Sequence, residues 1–411
     1  MTRGLYKIVK MMYYLPTMLY RTKSPTPKSK IVAPAAPKVA PVIEPILIKI
    51  TLIPGLKATV LDELAKYPEL NIAEQGEDKL FLDYIPNFQN VLLLRGVLNA
   101  YVIRRGEKYN PFYISNHKAT IGDLVEIALG RNKVEDVKPR KSKTPLTPAE
   151  KSRLNKIKQE SLKTPFKSFR LRCAGSDTKE VKEIQNYITT TYKLNNTEDA
   201  DMEIYINKPS LIWEVGVRLS PRPLSLRNYR VANIKGGLNP TIAYAMNTFC
   251  NLETAKSYLN VFSGSGTLLI EAGISNPDLK LIGFDIDGKS NALAILNIKK
   301  AGLIKQIHLQ TADIYNKPHL GKFDVIASDL PFGMQISSKV NLDSLYGTFV
   351  KYCEETLNAD GTLVICTTEY KVLEKALEDS KFDTIKTLDL VVSTSVQNIY
   401  LYPRIFVCKF K

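Results

Sequence analysis

The sequence predicts an α/β protein in which residues 239–411 form an open, mostly parallel sheet and smaller α+β units precede it. Two observations lead to this prediction. Residues 258–261 have the apolar character of a buried strand, and a tight glycine turn and a helical pattern follow them. Residues 280–286 and 322–329 are two more apolar strands, each with an acidic residue at its end. Strands that alternate with helices in this way predict a parallel sheet whose loops meet at one edge.

The glycine turn, Ser263-Gly-Ser-Gly266, is the first candidate ligand site. Gly264 and Gly266 have no Cβ, so the backbone can bend sharply there and approach a ligand closely. The helix predicted from Thr267 to about Ile274 directs its free N–H groups back toward that ligand. A Gly-x-Gly pair alone is equally typical of an ordinary tight turn, so its meaning depends on the strands around it.

Acidic residues at the ends of two later strands extend this candidate site. Asp285 follows the glycines by about twenty residues, where a carboxylate is suited to accept hydrogen bonds from a ribose diol. Asp313 ends another predicted strand, residues 307–313, and would meet an adenine amino group. Both carboxylates are expected at the same edge of the sheet as the glycine turn.

Three sequence blocks within residues 239–411 resemble the class I S-adenosylmethionine-dependent methyltransferases. Asn260-Val-Phe-Ser-Gly-Ser-Gly-Thr267 is similar to the family block Asp-Pro-x-Cys-Gly-Ser-Gly-Thr, with Asn260 in place of Asp and Ser263 in place of Cys. The segment from Gly283 to Asp287 matches Gly-x-Asp-x-Asp. Asp329-Leu-Pro-Phe-Gly333 resembles the variant of Asp/Asn-Pro-Pro-Tyr/Phe found in tRNA guanine-N2-methyltransferases that carry a THUMP RNA-binding domain.

The resemblance implies a Rossmann-like, seven-stranded methyltransferase domain with a final antiparallel hairpin, and S-adenosyl-L-methionine as its cofactor. The implied cofactor contacts come from the segment before the glycine turn, from the turn itself and from the two acidic strand ends. They are Asn239, Pro240, Phe262, Ser263, Gly264, Ser265, Gly266, Thr267, Asp285, Ile286, Asp313 and Ile314.

Residues 329–332 are the implied catalytic loop. The exocyclic amino group of guanine is a poor nucleophile, because its lone pair is delocalised into the ring. Asp329 and the carbonyl of Leu330 would each accept one N–H bond, with Pro331 stiffening the loop, and so aim the lone pair at the methyl donor. Asp329 would also receive the proton. Phe332 would stack on a base drawn out of the RNA, although core packing is the alternative.

The excess of basic charge lies before the predicted catalytic domain. The chain has 57 Lys and Arg and 41 Asp and Glu. Residues 239–411 hold 17 and 18 of these, which leaves 40 basic and 23 acidic groups in residues 1–238. Such separation indicates a polyanion-binding part, although lysines that serve solubility would give the same excess. With the resemblance, it predicts RNA, most of all tRNA, as the partner.

The first 238 residues divide into five predicted parts. They are a disordered basic Pro/Ala-rich tail at 1–45, a ferredoxin-like α+β domain at 46–130, a basic insertion or linker at 131–165, a THUMP RNA-binding domain at 166–220 and a connector at 221–238. The two domain names follow from the resemblance. We also expect a helix over residues 89–98, and a helix up to about Tyr192 that Asp177 caps with Glu180 at the capping-box position.

A short basic cluster before the glycine turn is the candidate RNA contact within the connector. It consists of Arg222, Arg227, Tyr229 and Arg230. Arginine beside an aromatic ring suits phosphate contact and base stacking. A set of ion pairs between domains is the alternative interpretation.

Cysteine and histidine usage favours a reducing compartment and no metal. The five cysteines show no Cys-x-x-Cys pair, and the three histidines are dispersed. We therefore expect a cytoplasmic protein, although the basic, acid-poor N-terminus also suits a mitochondrial or other organellar presequence. The apolar residues 8–20 are too short to span a bilayer, so no membrane partner is expected.

The function predicted from the sequence is methyl transfer from S-adenosylmethionine to the N2 of a guanosine in tRNA. Methylation of ribosomal RNA, or of adenine N6, is the alternative within the same class. An RNA-binding protein with a vestigial methyltransferase domain is the alternative from another class, since Asn260 and Ser263 depart from the family pattern.

Overall fold

The computed structural model describes residues 45–131, 166–234, 236–332, 341–394 and 398–411. The predicted tail and the predicted linker lie outside these residues, apart from Pro45 and Arg131.

The first half of the chain contains one eight-stranded sheet. Along the sheet the strands follow the order β2-β3-β1-β4-β8-β7-β5-β6. The strands are β1 (Leu47–Thr51), β2 (Ile72–Gln75), β3 (Lys79–Asp83), β4 (Asn99–Arg105), β5 (Ser168–Cys173), β6 (Asn195–Asn196), β7 (Met202–Asn207) and β8 (Glu214–Arg218). The helices are α1 (Lys57–Leu64), α2 (Lys118–Ala128) and α3 (Lys179–Tyr192), with 3₁₀ turns at Phe88–Leu93, Glu107–Tyr109 and Ile114–His117.

Alternation of side chains decides which face of this sheet is the core. In β1, Ile48 and Ile50 are fully buried in the main apolar cluster, while Lys49 between them points to the opposite face and contacts Tyr205. β4 pairs antiparallel with β8, with Tyr101 opposite Arg218. The two predicted N-terminal domains, 46–130 and 166–220, therefore share a continuous sheet and one core.

Two local predictions in this half were wrong. The expected helix over 89–98 is the 3₁₀ turn Phe88–Leu93, because the carboxylate of Glu63 accepts the backbone N–H groups of Arg95 and Gly96 at 2.7 and 2.8 Å and holds them in a turn. The helix α3 is capped by Thr178 and not by Asp177, since the Thr178 hydroxyl accepts the N–H of Val181 at 3.4 Å.

The second half is a seven-stranded sheet in the order β11-β10-β9-β12-β13-β17-β14. The strands are β9 (Ser257–Val261), β10 (Lys280–Asp285), β11 (Ile307–Thr311), β12 (Phe323–Asp329), β13 (Leu357–Thr367), β14 (Phe382–Asp389) and β17 (Arg404–Phe410), and the small ribbon β15 (Val392–Ser393) and β16 (Tyr400–Leu401) lies apart. The helices are α4 (Pro240–Thr248), α5 (Thr267–Ser275), α6 (Gly288–Ala301), α7 (Leu342–Thr356) and α8 (Tyr370–Glu378), with a 3₁₀ turn at Ile314–Asn316.

This sheet confirms the predicted fold class. The pairs among β9 to β13 are parallel, and β17 pairs antiparallel with both β13 and β14. Separate apolar clusters cover its two faces, as a doubly wound α/β sheet requires. The architecture is the Rossmann-like sheet with a final antiparallel hairpin, and α+β structure precedes it.

The two halves form one compact unit, Glu44–Lys411. Ile53 and Leu56 from the first half pack into the apolar cluster of the second sheet, together with Leu390. The N–H of Val391 also donates to the carbonyl of Pro54 at 3.2 Å. None of the helices in the described residues is long and apolar enough to cross a bilayer.

Candidate functional site

A cavity of about 540 Å³ opens at the carboxyl ends of β9, β10, β11 and β12. Its size lies within the range of small-molecule and cofactor sites. Open α/β sheets bind ligands at this edge. The lining residues that the sequence predicted are Phe262, Ser263, Gly264, Ser265, Thr267, Asp285, Ile286, Asp313, Ile314, Asp329 and Pro331.

The glycine turn reaches the cavity through backbone conformations that most residues avoid. Gly264 has a φ of 49° and Gly266 a φ of 74°. Phe262 also has a positive φ, 56°, which is uncommon for a bulky residue and marks local strain beside the cavity. Helix α5 starts directly after this turn, so its first N–H groups lie at the cavity.

Asp285 connects the glycine turn to the second strand. Its Oδ2 accepts the N–H of Gly264 at 2.9 Å, and its Oδ1 accepts the N–H of Asp287 at 3.0 Å. Each carboxylate oxygen keeps a lone pair for a further donor. Asp285 therefore stabilises the turn and still presents acceptors to a ligand diol.

Ser263 brings a polar group without a partner into the cavity wall. Its residue is 5% exposed, and its buried hydroxyl has no hydrogen-bond partner among the described residues. Buried polar groups are nearly always hydrogen-bonded in proteins, so an unpaired hydroxyl beside a cavity points to a ligand. Ser263 is among the cofactor contacts that the resemblance implies, and it replaces the Cys of the family block.

Asp313 and its neighbours form the far wall of the cavity. The Asp313 carboxylate accepts the N–H of Tyr315 at 3.0 Å, which fixes the short turn after β11. Ile286 and Tyr315 both line the cavity and are 63% and 49% exposed. Two exposed apolar side chains beside a carboxylate suit a flat heteroaromatic ring with a donor at its edge.

Asp329 ends β12 at the other side of the same cavity. Burial raises the pKa of its carboxyl to about 7. Among the described residues, no side chain or N–H group donates to that carboxylate. A half-buried acid that titrates near neutral pH and lines a cavity has the properties of a proton acceptor.

The backbone after Asp329 is held at two points. The N–H of Leu330 donates to the carbonyl of Cys366 at 2.9 Å, and the hydroxyl of Tyr346 donates to the carbonyl of Pro331 at 3.0 Å. The Leu330 side chain is fully buried. Phe332 is half-buried and does not line the cavity, and its predicted stacking on a base stays a prediction.

Three predicted cofactor residues do not line the cavity directly. Asn239 caps α4 by accepting the N–H of Thr241 at 2.8 Å, and Pro240 is buried as the first residue of that helix. Their neighbours Gly237 and Leu238 line the cavity instead. Gly266 lies at the start of α5, behind the turn that contacts the cavity, and its role is in the backbone conformation.

Asn260 has a structural role that its replacement of Asp did not reveal. Its side-chain amide donates to the carbonyl of Ala327 on β12 at 2.9 Å and to the carbonyl of Val261 at 3.0 Å. The hydroxyl of Ser328 also donates to Val261 at 2.7 Å. The bond from Asn260 to Ala327 and the bond from Ser328 to Val261 join the ends of the two strands that carry the glycine turn and Asp329. An ionised Asp has no hydrogen to donate in this way.

The predicted RNA-contacting cluster divides in two. Arg227 and Tyr229 both bind the fully buried carboxylate of Glu271 on α5, at 3.3 and 2.7 Å, and Arg95 from the first half binds it too. Arg227 and Tyr229 thus make the kind of contact between domains that the alternative interpretation describes, and Tyr229 is only 6% exposed. Arg222 and Arg230, which are exposed and partly exposed, stay candidates for RNA contact.

Within the described ranges, no group of three or more His, Cys, Asp or Glu side chains is arranged to hold a metal ion. The five cysteines are all free thiols.

Comparison with known proteins finds methyltransferases that are similar in sequence. Residues 227–397 match the family model UPF0020, described as RMKL-like, methyltransferase domain. The U6 snRNA (guanine-N(2))-methyltransferase THUMPD2 of Mus musculus is 29% identical over 170 residues, which are 41% of this chain and 31% of that protein. The tRNA (guanine(6)-N2)-methyltransferase of Thermus thermophilus is 29% identical over 195 residues, 47% of this chain and 56% of that protein. Less than two thirds of either relative is covered.

Solved structures share the fold over most of the chain. The crystal structure of TrmN from Thermus thermophilus has a TM-score of 0.63 at 20% identity and covers 89% of this chain and all of that one. The structure of SMU.472 complexed with SAH has a TM-score of 0.58 at 15% identity and covers 90% of this chain and 99% of that one. The similarity extends through the N-terminal half as well as the Rossmann-like sheet.

Proposed function

We propose that this protein is an S-adenosylmethionine-dependent RNA methyltransferase that acts on the exocyclic N2 of a guanosine. One observation carries the proposal: the glycine turn braced by Asp285 and the unpaired carboxylate of Asp329 line the same cavity. The printed names of relatives with different RNA substrates share guanine N2 as the target atom, which supports that atom here as well.

The glycine-turn side of the cavity fits S-adenosylmethionine. The Ser263 hydroxyl offers a donor, and the carboxylate of Asp285 offers acceptors for a ribose diol. A Cβ added at Gly264 would have only the carbonyl oxygen of Phe262 nearby, at 4.0 Å, so the glycine leaves room for a ligand. When bound, the cofactor supplies an electrophilic methyl group on a sulfonium sulfur.

The Asp329 side of the cavity performs orientation and proton transfer. The Asp329 carboxylate and the Leu330 carbonyl each accept one hydrogen of the guanine amino group, which directs the nitrogen lone pair toward the methyl donor. The nitrogen gains the methyl group and loses one proton, which Asp329 accepts. With a pKa of about 7, this carboxyl is well matched to accept a proton at neutral pH.

The RNA partner, by this proposal, contacts the basic half of the chain, and tRNA is the substrate class that we favour. The 40 basic against 23 acidic groups before residue 239 support phosphate contacts there, and residues 166–220 would act as the THUMP part. Arg230 adds positive charge next to the cavity segment 236–238, and Arg222 is exposed earlier in the connector. Free thiols throughout support work in a reducing compartment, the cytoplasm in our proposal.

Nucleoside mass spectrometry tests the reaction and the substrate together. The full chain is incubated with S-adenosylmethionine in three separate reactions. One contains tRNA, one a U6 snRNA transcript and one ribosomal RNA. We expect N2-methylguanosine in the tRNA sample. The product in U6 snRNA or ribosomal RNA alone would keep the chemistry and change the substrate, and N6-methyladenosine would overturn the target atom. No product together with no calorimetric binding of the cofactor would favour a vestigial domain.

Replacing Asp329 with Ala tests the role of the carboxylate. The variant Asp329→Ala should lose methyl transfer while its affinities for cofactor and RNA stay close to those of the wild type, because the side chain contacts only the reacting nitrogen. Asp343→Ala is the control, since Asp343 lies exposed on α7 in an ion pair of 2.9 Å with Lys375. Wild-type turnover by Asp329→Ala would show that another group orients the amine.

A further inference from the structure

Tyr346 connects helix α7 to the loop that follows Asp329. Its ring is fully buried, and its hydroxyl lies 3.0 Å from the carbonyl oxygen of Pro331 and 2.8 Å from Oγ1 of Thr367. Thr367 Oγ1 in turn accepts the N–H of Glu369 at 3.0 Å. A buried tyrosine hydroxyl with two partners beside a cavity is a specific arrangement, because each of its hydrogen bonds has to be satisfied inside the protein.

The donors and acceptors in this chain permit one direction. The carbonyl of Pro331 can only accept, so the single hydroxyl hydrogen of Tyr346 is donated to it. The Tyr346 oxygen therefore accepts the hydrogen of the Thr367 hydroxyl, whose own oxygen accepts the N–H of Glu369. The chain of bonds therefore ends as a donor to the loop backbone.

These bonds determine which backbone carbonyl of the loop after Asp329 is available to a substrate. The N–H of Leu330 is bound to Cys366 on β13, and the carbonyl of Pro331 is bound to Tyr346. Between these two anchors, the carbonyl of Leu330 accepts no hydrogen bond from any described residue. With Asp329 next to it, this carbonyl is the free second acceptor of the loop.

We infer that Tyr346 is a positioning residue. Its hydroxyl occupies the carbonyl of Pro331 and thereby fixes the loop backbone. The free carbonyl of Leu330 then faces the target amine beside Asp329. The inference rests on the proposed function, because it assigns the same loop to the amino group. Tyr346 itself touches neither substrate nor cofactor. Without its hydroxyl, the Pro331 carbonyl competes for the amine and the loop has one anchor fewer.

Helix α7 offers a matched control. Tyr352, on the same helix and 1% exposed, also donates its hydroxyl to a proline carbonyl, that of Pro318, at 2.8 Å. Tyr346→Phe and Tyr352→Phe thus remove the same chemical group and the same kind of hydrogen bond. Only the first of them touches the loop after Asp329, so a difference between the two variants measures the loop and not the stability of the helix.

Steady-state and single-turnover methyl transfer by the full chain test the inference. We expect Tyr346→Phe to lower kcat roughly 10- to 100-fold, the range for slightly misplaced reacting groups, with KM for RNA and the calorimetric Kd for S-adenosylmethionine within about twofold of the wild type. Tyr352→Phe should keep kcat within about twofold of the wild type. Its loss of thermal stability should be similar to that of Tyr346→Phe. Equal kcat values for the two variants would overturn the inference.

Thr367 provides a second test should Tyr346→Phe not fold. Thr367→Ser keeps the hydroxyl and should keep kcat, whereas Thr367→Val removes the donor to Tyr346 and should lower kcat with little change in KM. Wild-type kcat in Thr367→Val would contradict the inference. A wild-type protein that transfers no methyl group to guanine would instead refute the proposed function, and the inference with it, so the two failures are distinguishable.

Discussion

Replacing Glu271 with Gln should strongly destabilise the whole protein, because this carboxylate is the centre of the contact between the two halves. It is fully buried on α5. Its Oε2 accepts hydrogen bonds from Nε of Arg95, at 2.8 Å, and from a second guanidinium nitrogen of Arg95. Its Oε1 accepts hydrogen bonds from the side chains of Arg227 and Tyr229. Glu271→Gln nearly preserves the shape of the side chain, removes the charge and replaces one acceptor oxygen with an NH2 donor.

The expected magnitude follows from the two arginines that would remain. Arg95 is 4% exposed, and the side chain of Arg227 is 10% exposed, so neither guanidinium can regain its water shell in the folded state. Breaking a buried ion pair by removing one partner costs about 3–5 kcal/mol, mainly because the other charge is left buried. Proteins are stable by about 5–15 kcal/mol, so this loss is a large fraction of the total.

The pH dependence of Glu271 has a definite sign. Burial alone would raise the pKa of its carboxyl, but the charges of Arg95 and Arg227 and the donated hydrogen bonds outweigh burial and hold that pKa below its ordinary value. A lowered pKa stabilises the folded state above the unfolded-state pKa of about 4.3, and this stabilisation is lost as the pH falls below that value.

Urea denaturation followed by circular dichroism measures both effects. Glu374→Gln is the control, because its ion pair of 2.7 Å with Arg404 lies partly exposed on α8, with side chains 44% and 23% exposed, and is expected to contribute only about 1 kcal/mol. At pH 7, Glu271→Gln should shift the midpoint far more than Glu374→Gln, and the gap should narrow below about pH 4. Equal shifts for the two variants at pH 7 would refute the assignment of Glu271 as the central partner of the two buried arginines.

Three further outcomes follow from the site. Burial raises the pKa of Asp329 to about 7, and the ionised form accepts the proton. The single-turnover rate should therefore rise by up to about tenfold per pH unit below about pH 7 and stay constant above it. A rate that does not change with pH would contradict this role. Asp285→Ala should weaken cofactor affinity by about 1–3 kcal/mol in calorimetry, and unchanged affinity would exclude it as the ribose acid. Asn260→Asp should lower the unfolding free energy by at least about 1–3 kcal/mol, since the donated bond to Ala327 on β12 and the one to Val261 within β9 are both lost; a thermal melt identical to that of the wild type would contradict it.

The sequence by itself determined the features that depend on neighbouring residues. Apolar runs with glycine or an acid at the end predicted β9, β10 and β12, and each lies within two residues of its expected bounds. The cofactor side of the cavity was predictable for the same reason. Gly264 and Asp285 follow or end predicted strands, and neighbouring parallel strands bring their carboxyl ends to one edge of the sheet. Backbone preference and hydrophobic periodicity are local properties, so they can be read from the chain in order.

Only the tertiary structure decided the roles that depend on a distant partner. Arg227 and Tyr229 bind Glu271, more than forty residues further along the chain, and Arg95 reaches the same carboxylate across 176 residues. The segment before β4, predicted as a helix, is a short 3₁₀ turn because the carboxylate of Glu63 on α1 accepts two backbone N–H groups there. A side chain that has several possible partners takes the one that burial makes most favourable, since an unpaired buried charge or amide is costly. That choice depends on which surfaces the fold brings together, and neither composition nor periodicity contains it.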